Sequence, residues 1–221
     1  MRSYQQYCGL AKALDVVGDR WTLLIVRELL FQDECRFTDL QHGLPGIATN
    51  LLTGRLRDLE DAGVVARSRG RGASAPTVYS LTERGRALKP VIGALGSWAG
   101  PLLAHASPHD EFRSHWLILP GRLHLRDNAP RKPPARLEVR TGEEPITITA
   151  QHGSVHIARG GTEKPDAVLS GEPDVVLALL MGRLELAQAR ARGAHFAGKP
   201  AILERLQPAH SSKRRDSPAH V

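Results

Sequence analysis

The sequence predicts an α+β protein in two parts, and three observations carry that reading. The stretch from Gly43 to Ala62, GLPGIATNLLTGRLRDLEDA, sets a turn before an amphipathic helix. Directly after it, two strand-like segments flank a basic, glycine-rich loop. Beyond residue 110, several short alternating segments lead into a helix that is apolar almost all round.

In the first stretch, Leu52, Leu56 and Leu59 recur at the i, i+4, i+7 spacing of a helix with one buried face. At about 100° per residue, Asn50, Thr53, Gly54 and Arg57 fall on the opposite face, and Thr49 opens the helix. A short amide, hydroxyls, a gap and a guanidinium suit hydrogen bonding to base edges and phosphates. With the preceding helix around Arg36–His42, this predicts a helix-turn-helix whose second helix enters a major groove. Taken alone, the same pattern also fits a solvated face on an ordinary core helix.

The hairpin changes that balance. Val64–Arg69 and Thr77–Leu81 read as two strands, and the loop between them carries Gly70-Arg71-Gly72. A basic tip placed after a helix-turn-helix is a wing, with Arg69 and Arg71 lying along a phosphate backbone or in a minor groove. The fold class is therefore α+β, an N-terminal winged helix-turn-helix domain followed by a smaller sheet-and-helix domain.

Upstream, Leu10, Leu14 and Val17 predict a short helix ended at Gly18. Asp19 is the expected N-cap of a second helix running through Phe31. From Thr82 a long helix is expected through Leu103, with Leu88, Val91, Leu95, Trp98 and Leu102 in a heptad-like stripe and a kink at Pro90. The stripe suits packing against a second copy or against its own domain. A homodimer through the N-terminal and Thr82–Leu103 helices is expected, because two-fold proteins read paired half-sites.

Composition narrows the function classes. Of 221 residues, 30 are Lys or Arg and 23 are Asp or Glu, a net charge of +7 that favours an acidic partner. The excess is spread over both halves, but Arg55, Arg57, Arg67, Arg69 and Arg71 concentrate locally. The two cysteines, Cys8 and Cys35, make no disulfide framework, and either is a plain thiol or a redox sensor. No apolar run is long enough to span a bilayer, and MRSYQQYCGL lacks a signal-peptide core, so a cytoplasmic location without membrane insertion is expected. No H-E-x-x-H, G-x-S-x-G or P-loop occurs, so no enzyme activity, cofactor or metal is expected.

The motifs of the first half resemble the HxlR family of winged-helix transcription regulators, relatives of the MarR type. The matching residues are Cys8, Ala13–Ile25, Arg36–Leu40, Gly46-Ile47, Leu56 to Val64, and Tyr79 to Gly85. The resemblance spans about residues 8–103. It implies a dimeric winged helix that binds double-stranded DNA, with first and last helices at the dimer interface. It also places Cys8 where some members carry an oxidant-sensing thiol.

Past a linker at 106–110, Trp116–Leu125 is apolar and broken by Pro120-Gly121, and 127–134 is a Pro-rich loop. Strands follow at 136–140, 146–150, 154–158 and 167–170, then the helix Val175–Met181. Asp166–Val175, Leu179–Leu184 and Gly193–Leu203 resemble a sterol-carrier-protein-like domain over roughly 111–207. The resemblance implies a cavity for a hydrophobic small-molecule effector, walled by Trp116, Leu177, Leu180, Met181 and Phe196. Each of the five also fits as plain core. Domains are expected at 1–105 and 111–207, with a disordered basic tail at 208–221. The expected function is a DNA-binding regulator, a repressor gated by that effector. The alternative is a lipid carrier that uses the winged helix for docking.

Overall fold

Helix α1 (Gly9–Val17) opens the described chain and α2 (Thr22–Phe31) follows across a tight turn. The computed structural model describes residues 3–32, 34–69, 75–105, 107 and 109–208. These divide into two compact units, Met1–His105 and Ala106–Val221. Arg71 and the basic tail from 209 onward lie outside the described residues.

In the first unit, Asp19 is not the N-cap of α2. The helix begins three residues later, because Trp21 takes a left-handed backbone with φ 79° just ahead of Thr22. That conformation is uncommon for a bulky residue. Packing offsets it, since the indole lies against the core and the Arg20 guanidinium sits 5.7 Å over its ring. Asp19 is thereby left in the turn, with its carboxylate available to another element.

Strand β1 (Cys35–Arg36) leads into α3 (Phe37–Gly43), whose start is fixed by the Arg36 N–H donating to the Asp39 carboxylate at 2.8 Å. Gly46, at φ 84°, makes the turn into α4 (Thr49–Asp61). Strands β2 (Val65–Arg69) and β3 (Thr77–Leu81) form the hairpin, and β1 adds to β3, giving the order β1-β3-β2. Two residues are too few to show a period, so β1 leaves no trace in the sequence pattern. The core joins Ile25 and Leu29 of α2, Leu40 of α3, Leu52, Leu56 and Leu59 of α4, and Val65 and Leu81 of the hairpin.

The long helix expected from Thr82 to Leu103 is instead three pieces. These are α5 (Glu83–Arg86), α6 (Lys89–Ala99) and a 3-10 segment from Gly100 to His105. Thr82 caps α5 by accepting the Gly85 N–H at 3.1 Å. Pro90 does not kink a continuous helix. It occupies the first turn of α6, where its missing N–H would have had no helical partner.

The second unit starts with a 3-10 turn, Ser114–Leu117, running into α7 (Ile118–His124). Pro120-Gly121 does not break α7: Pro120 is again in a first turn. Gly121 makes room for β6, since a Cβ there would lie 2.3 Å from the Ile157 side chain. Strands β4 (Ala135–Thr141), β5 (Glu144–Gln151), β6 (Ser154–Arg159), β7 (Ala167–Ser170) and β8 (His195–Gly198) build one sheet in the order β6-β5-β4-β7-β8. All neighbours are antiparallel except β4 and β7. Helices α8 (Pro173–Leu180), α9 (Leu186–Ala191) and α10 (Ala201–Arg205) complete the unit. Leu137, Val139, Ile146, Ile148, Ile157 and Leu169 form the buried sheet face.

Three buried charged side chains, Arg205, Asp127 and Glu138, hold this unit together. Arg205 makes paired bonds to Asp127, Nε to Oδ1 at 2.7 Å and Nη2 to Oδ2 at 3.1 Å, and Nη1 donates to the Pro133 carbonyl. Glu138 lies on the opposite sheet face yet is buried. It accepts the Thr162 N–H at 2.9 Å and the Arg140 Nε–H at 2.7 Å, tying down the segment that joins β6 to β7.

Candidate nucleic-acid interface

The two faces of α4 separate as the helical spacing requires. Leu52, Leu56 and Leu59 are buried, whereas Thr49, Asn50, Thr53, Gly54 and Arg57 are exposed. Thr49 and Thr53 are tied to the helix start. The Gln41 amide donates to the Thr49 hydroxyl at 3.0 Å, and the Thr53 hydroxyl donates to the Thr49 carbonyl at 2.8 Å. Asn50 Oδ1 accepts the Leu51 N–H, which leaves its amide hydrogens outward. A Cβ built on Gly54 meets nothing within 4 Å, so the middle of this face is open to a close approach.

Arg55 and Arg57 differ sharply. Arg55 is half-buried and ion-paired with Asp19 at 2.5 Å and Asp58 at 3.1 Å. Among the described residues Arg57 is exposed and makes no ion pair. The basic run in the sequence therefore contributes less charge to the open face than its count suggests. On the hairpin, Arg67 and Arg69 are exposed opposite Tyr79 and Thr77. The sequence pattern does not mark Gln41, and it assigns Asp19 to a helix cap rather than to an ion pair. Asp19 lies 36 residues before the arginine it pairs with, and no local pattern signals such a contact.

A second surface of this unit is apolar. Leu10 on α1 is 69% exposed, and no residue of α6 is buried. Trp98 is 77% exposed and Leu102 62%. Val91, Leu95 and Leu103 are exposed too, so among the described residues of the predicted stripe Leu88 alone packs against the core, with Ile92 beside it.

The model of the HxlR-like helix-turn-helix family matches residues 16–107. YvaP of Bacillus subtilis (strain 168), an uncharacterised HTH-type transcriptional regulator, is 39% identical over 88 residues, covering 40% of this chain and 81% of YvaP. The chain belongs to the HxlR-like helix-turn-helix family. YdzF of the same organism, also an uncharacterised HTH-type transcriptional regulator, is 30% identical over 96 residues, 43% of this chain and 85% of YdzF. The reduced form of the transcriptional regulator YodB from B. subtilis is similar over 46% of this chain and 100% of its own, at 28% identity and a TM-score of 0.40.

Within this HxlR-like unit, Cys8 is exposed immediately before α1, and Cys35 is buried in the core. Of the five effector-cavity candidates in the second unit, Leu180 is buried and Trp116, Leu177, Met181 and Phe196 are half-buried. A cleft of about 420 Å³, open to solvent, is lined by Val168, Ser170, Arg190, Ala194, His195, Phe196 and Ala197. Phe196 is the one candidate on that cleft. The structure does not gather the other four there. No described helix is long and apolar enough to cross a membrane.

Proposed function

We propose that this HxlR-like chain regulates transcription by binding double-stranded DNA as a homodimer. The observation that carries the reading is the polar face of α4, which ends on the exposed guanidinium of Arg57 and stands in one unit with the exposed arginines of the hairpin. The names of YvaP and YdzF, both HTH-type transcriptional regulators, support it. Asn50, Thr53 and Arg57 would read base edges, Thr49 and Gly54 would set the approach, and Arg69 and Arg71 would hold flanking phosphates. The exposed apolar residues of α1 and α6 would form the dimer contact, placing two α4 helices in successive major grooves roughly 34 Å apart.

The second unit supplies the input in this reading. Its sterol-carrier-like motifs favour a hydrophobic effector, which would release a bound repressor by preferring one dimer geometry over the other. A lipid carrier that used the first unit only for docking would have no use for Arg57, Arg67 and Arg69 on an open surface. Cys8 remains an accessible thiol that could add an oxidant input.

A mobility shift of the purified protein on its own promoter region tests this, at two salt concentrations, with competitor DNA, and with and without a lipid extract. Specific binding that survives competitor at the higher salt is expected, with release by the extract. Weak binding erased by salt, with a lipid co-purifying, would overturn the regulator in favour of the carrier. Specific binding unaffected by any extract would overturn the effector alone.

A further inference from the structure

One end of the sheet in the second unit carries a cluster of polar groups that the DNA-binding reading does not use. Gly142-Glu143 makes the turn between β4 and β5, and the 3-10 turn Ser114–Leu117 lies on it. The Ser114 N–H donates to Glu143 Oε2 at 3.0 Å, and the Ser114 hydroxyl donates to the Thr141 carbonyl at 2.6 Å. The Glu144 N–H in turn donates to the Ser114 hydroxyl at 3.2 Å. Beside it His115 is 2% exposed, with Nδ1 4.0 Å from Glu143 Oε1. One ligand atom each from His115, Glu143 and Glu144 lies within 4.8 Å of the others.

We propose that His115, Glu143 and Glu144 form a binding site for one divalent transition-metal cation of the zinc type. A charge-assisted hydrogen bond closes to about 2.7–2.9 Å, and the His115–Glu143 separation is wider than that. Two metal–ligand bonds of about 2.0–2.2 Å at a tetrahedral angle set their ligand atoms roughly 3.3–3.6 Å apart, so a shift of about half an ångström would bring this pair onto one ion. Glu143 and Glu144 sit at a hairpin tip with part of their side chains in solvent, so small rotations bring their oxygens onto a shared ion. Glu144 gives one oxygen to Arg159 Nε at 2.5 Å and has a second to offer.

A second observation points into the same place. Thr141 pairs with Glu144 across the hairpin, so the two side chains share the sheet face that Ser114–Leu117 covers. The Thr141 hydroxyl is buried without a hydrogen-bond partner among the described residues. One imidazole with two carboxylates suits zinc, manganese, iron or nickel better than calcium or magnesium, which favour all-oxygen shells. A bound ion would staple the 3-10 turn Ser114–Leu117 to the β4–β5 hairpin.

The test is cobalt(II) titration of the full chain carrying C8S, which removes the exposed thiol, followed by zinc competition. One cobalt per chain is expected, with the d–d absorption of a bound ion, and zinc should raise the melting temperature. E143Q and E144Q in the same background should each weaken cobalt binding by at least about tenfold, since even outer partners of metal ligands cost 10–100-fold. Circular dichroism confirms that each variant is folded, and E144Q decides if E143Q melts early. Absence of binding in the C8S chain would overturn the site. So would parental affinity in both glutamine variants, which would assign the ion to scattered surface histidines.

Discussion

Arg55 and Arg57 are separated by one residue on α4 and answer to different partners. Arg57 is free to meet a base, and Arg57→Ala should weaken specific binding by about 1–3 kcal/mol if it reads a guanine. Unchanged operator affinity in a binding titration would remove it from the readout. Arg55, held by Asp19 and Asp58, is a structural pair. Arg55→Ala should lower thermal stability by about 0.2–1 kcal/mol and leave the salt dependence of DNA binding unchanged. At the same scale, Asp127 shows how one buried pair sets acid sensitivity. Its bonds to Arg205 lower its carboxyl most, burial opposes them, and the Ala129 and Gly153 N–H groups add to the lowering, bringing it to about 2. The folded value lies below the unfolded one, so the stabilisation is full above the ordinary carboxylate range. It fades as pH falls from about 4 toward 2. Arg205→Ala strands the Asp127 carboxylate and should cost about 3–5 kcal/mol in a denaturant melt at neutral pH. It should also flatten the acid limb.

At the level of elements, the hairpin and α6 carry the next expectations. Arg69→Ala should weaken binding evenly across sequences and reduce the salt slope by about one, as a phosphate contact does. A changed sequence preference would instead make the wing a base reader. Helix α6 has no buried residue, and an exposed tryptophan in line with Leu95 and Leu102 is a surface in need of a partner. Trp98→Glu should shift the protein from dimer to monomer in sedimentation and weaken operator binding, with the core melt unaltered. A variant that remained dimeric would move the interface elsewhere. The division of the expected long helix into α5, α6 and a 3-10 turn matters here, because it limits the apolar stripe to a short segment.

Across the whole molecule, two compact units separate the groups that would meet DNA from the sheet that would take an input. The helix-turn-helix could be read from the chain because Leu52, Leu56 and Leu59 and the outward Asn50, Thr53 and Arg57 obey one helical period, and a hairpin with alternating residues follows at once. Three strands of the second unit were legible for the same reason, since β4, β5 and β6 alternate at period two. Local periodicity determined these elements and the side of α4 that faces outward. Other features escaped it because they are contacts between distant residues. Trp21's left-handed turn removed Asp19 from its expected cap and gave it to Arg55. Strand β8 declared itself only by pairing with β7, Arg205 found Asp127 across 78 residues, and His115 came to lie beside Glu143 and Glu144. A sequence records which side chains are near in the chain; only packing decides which charges are neutralised, which are left open, and which ligands converge.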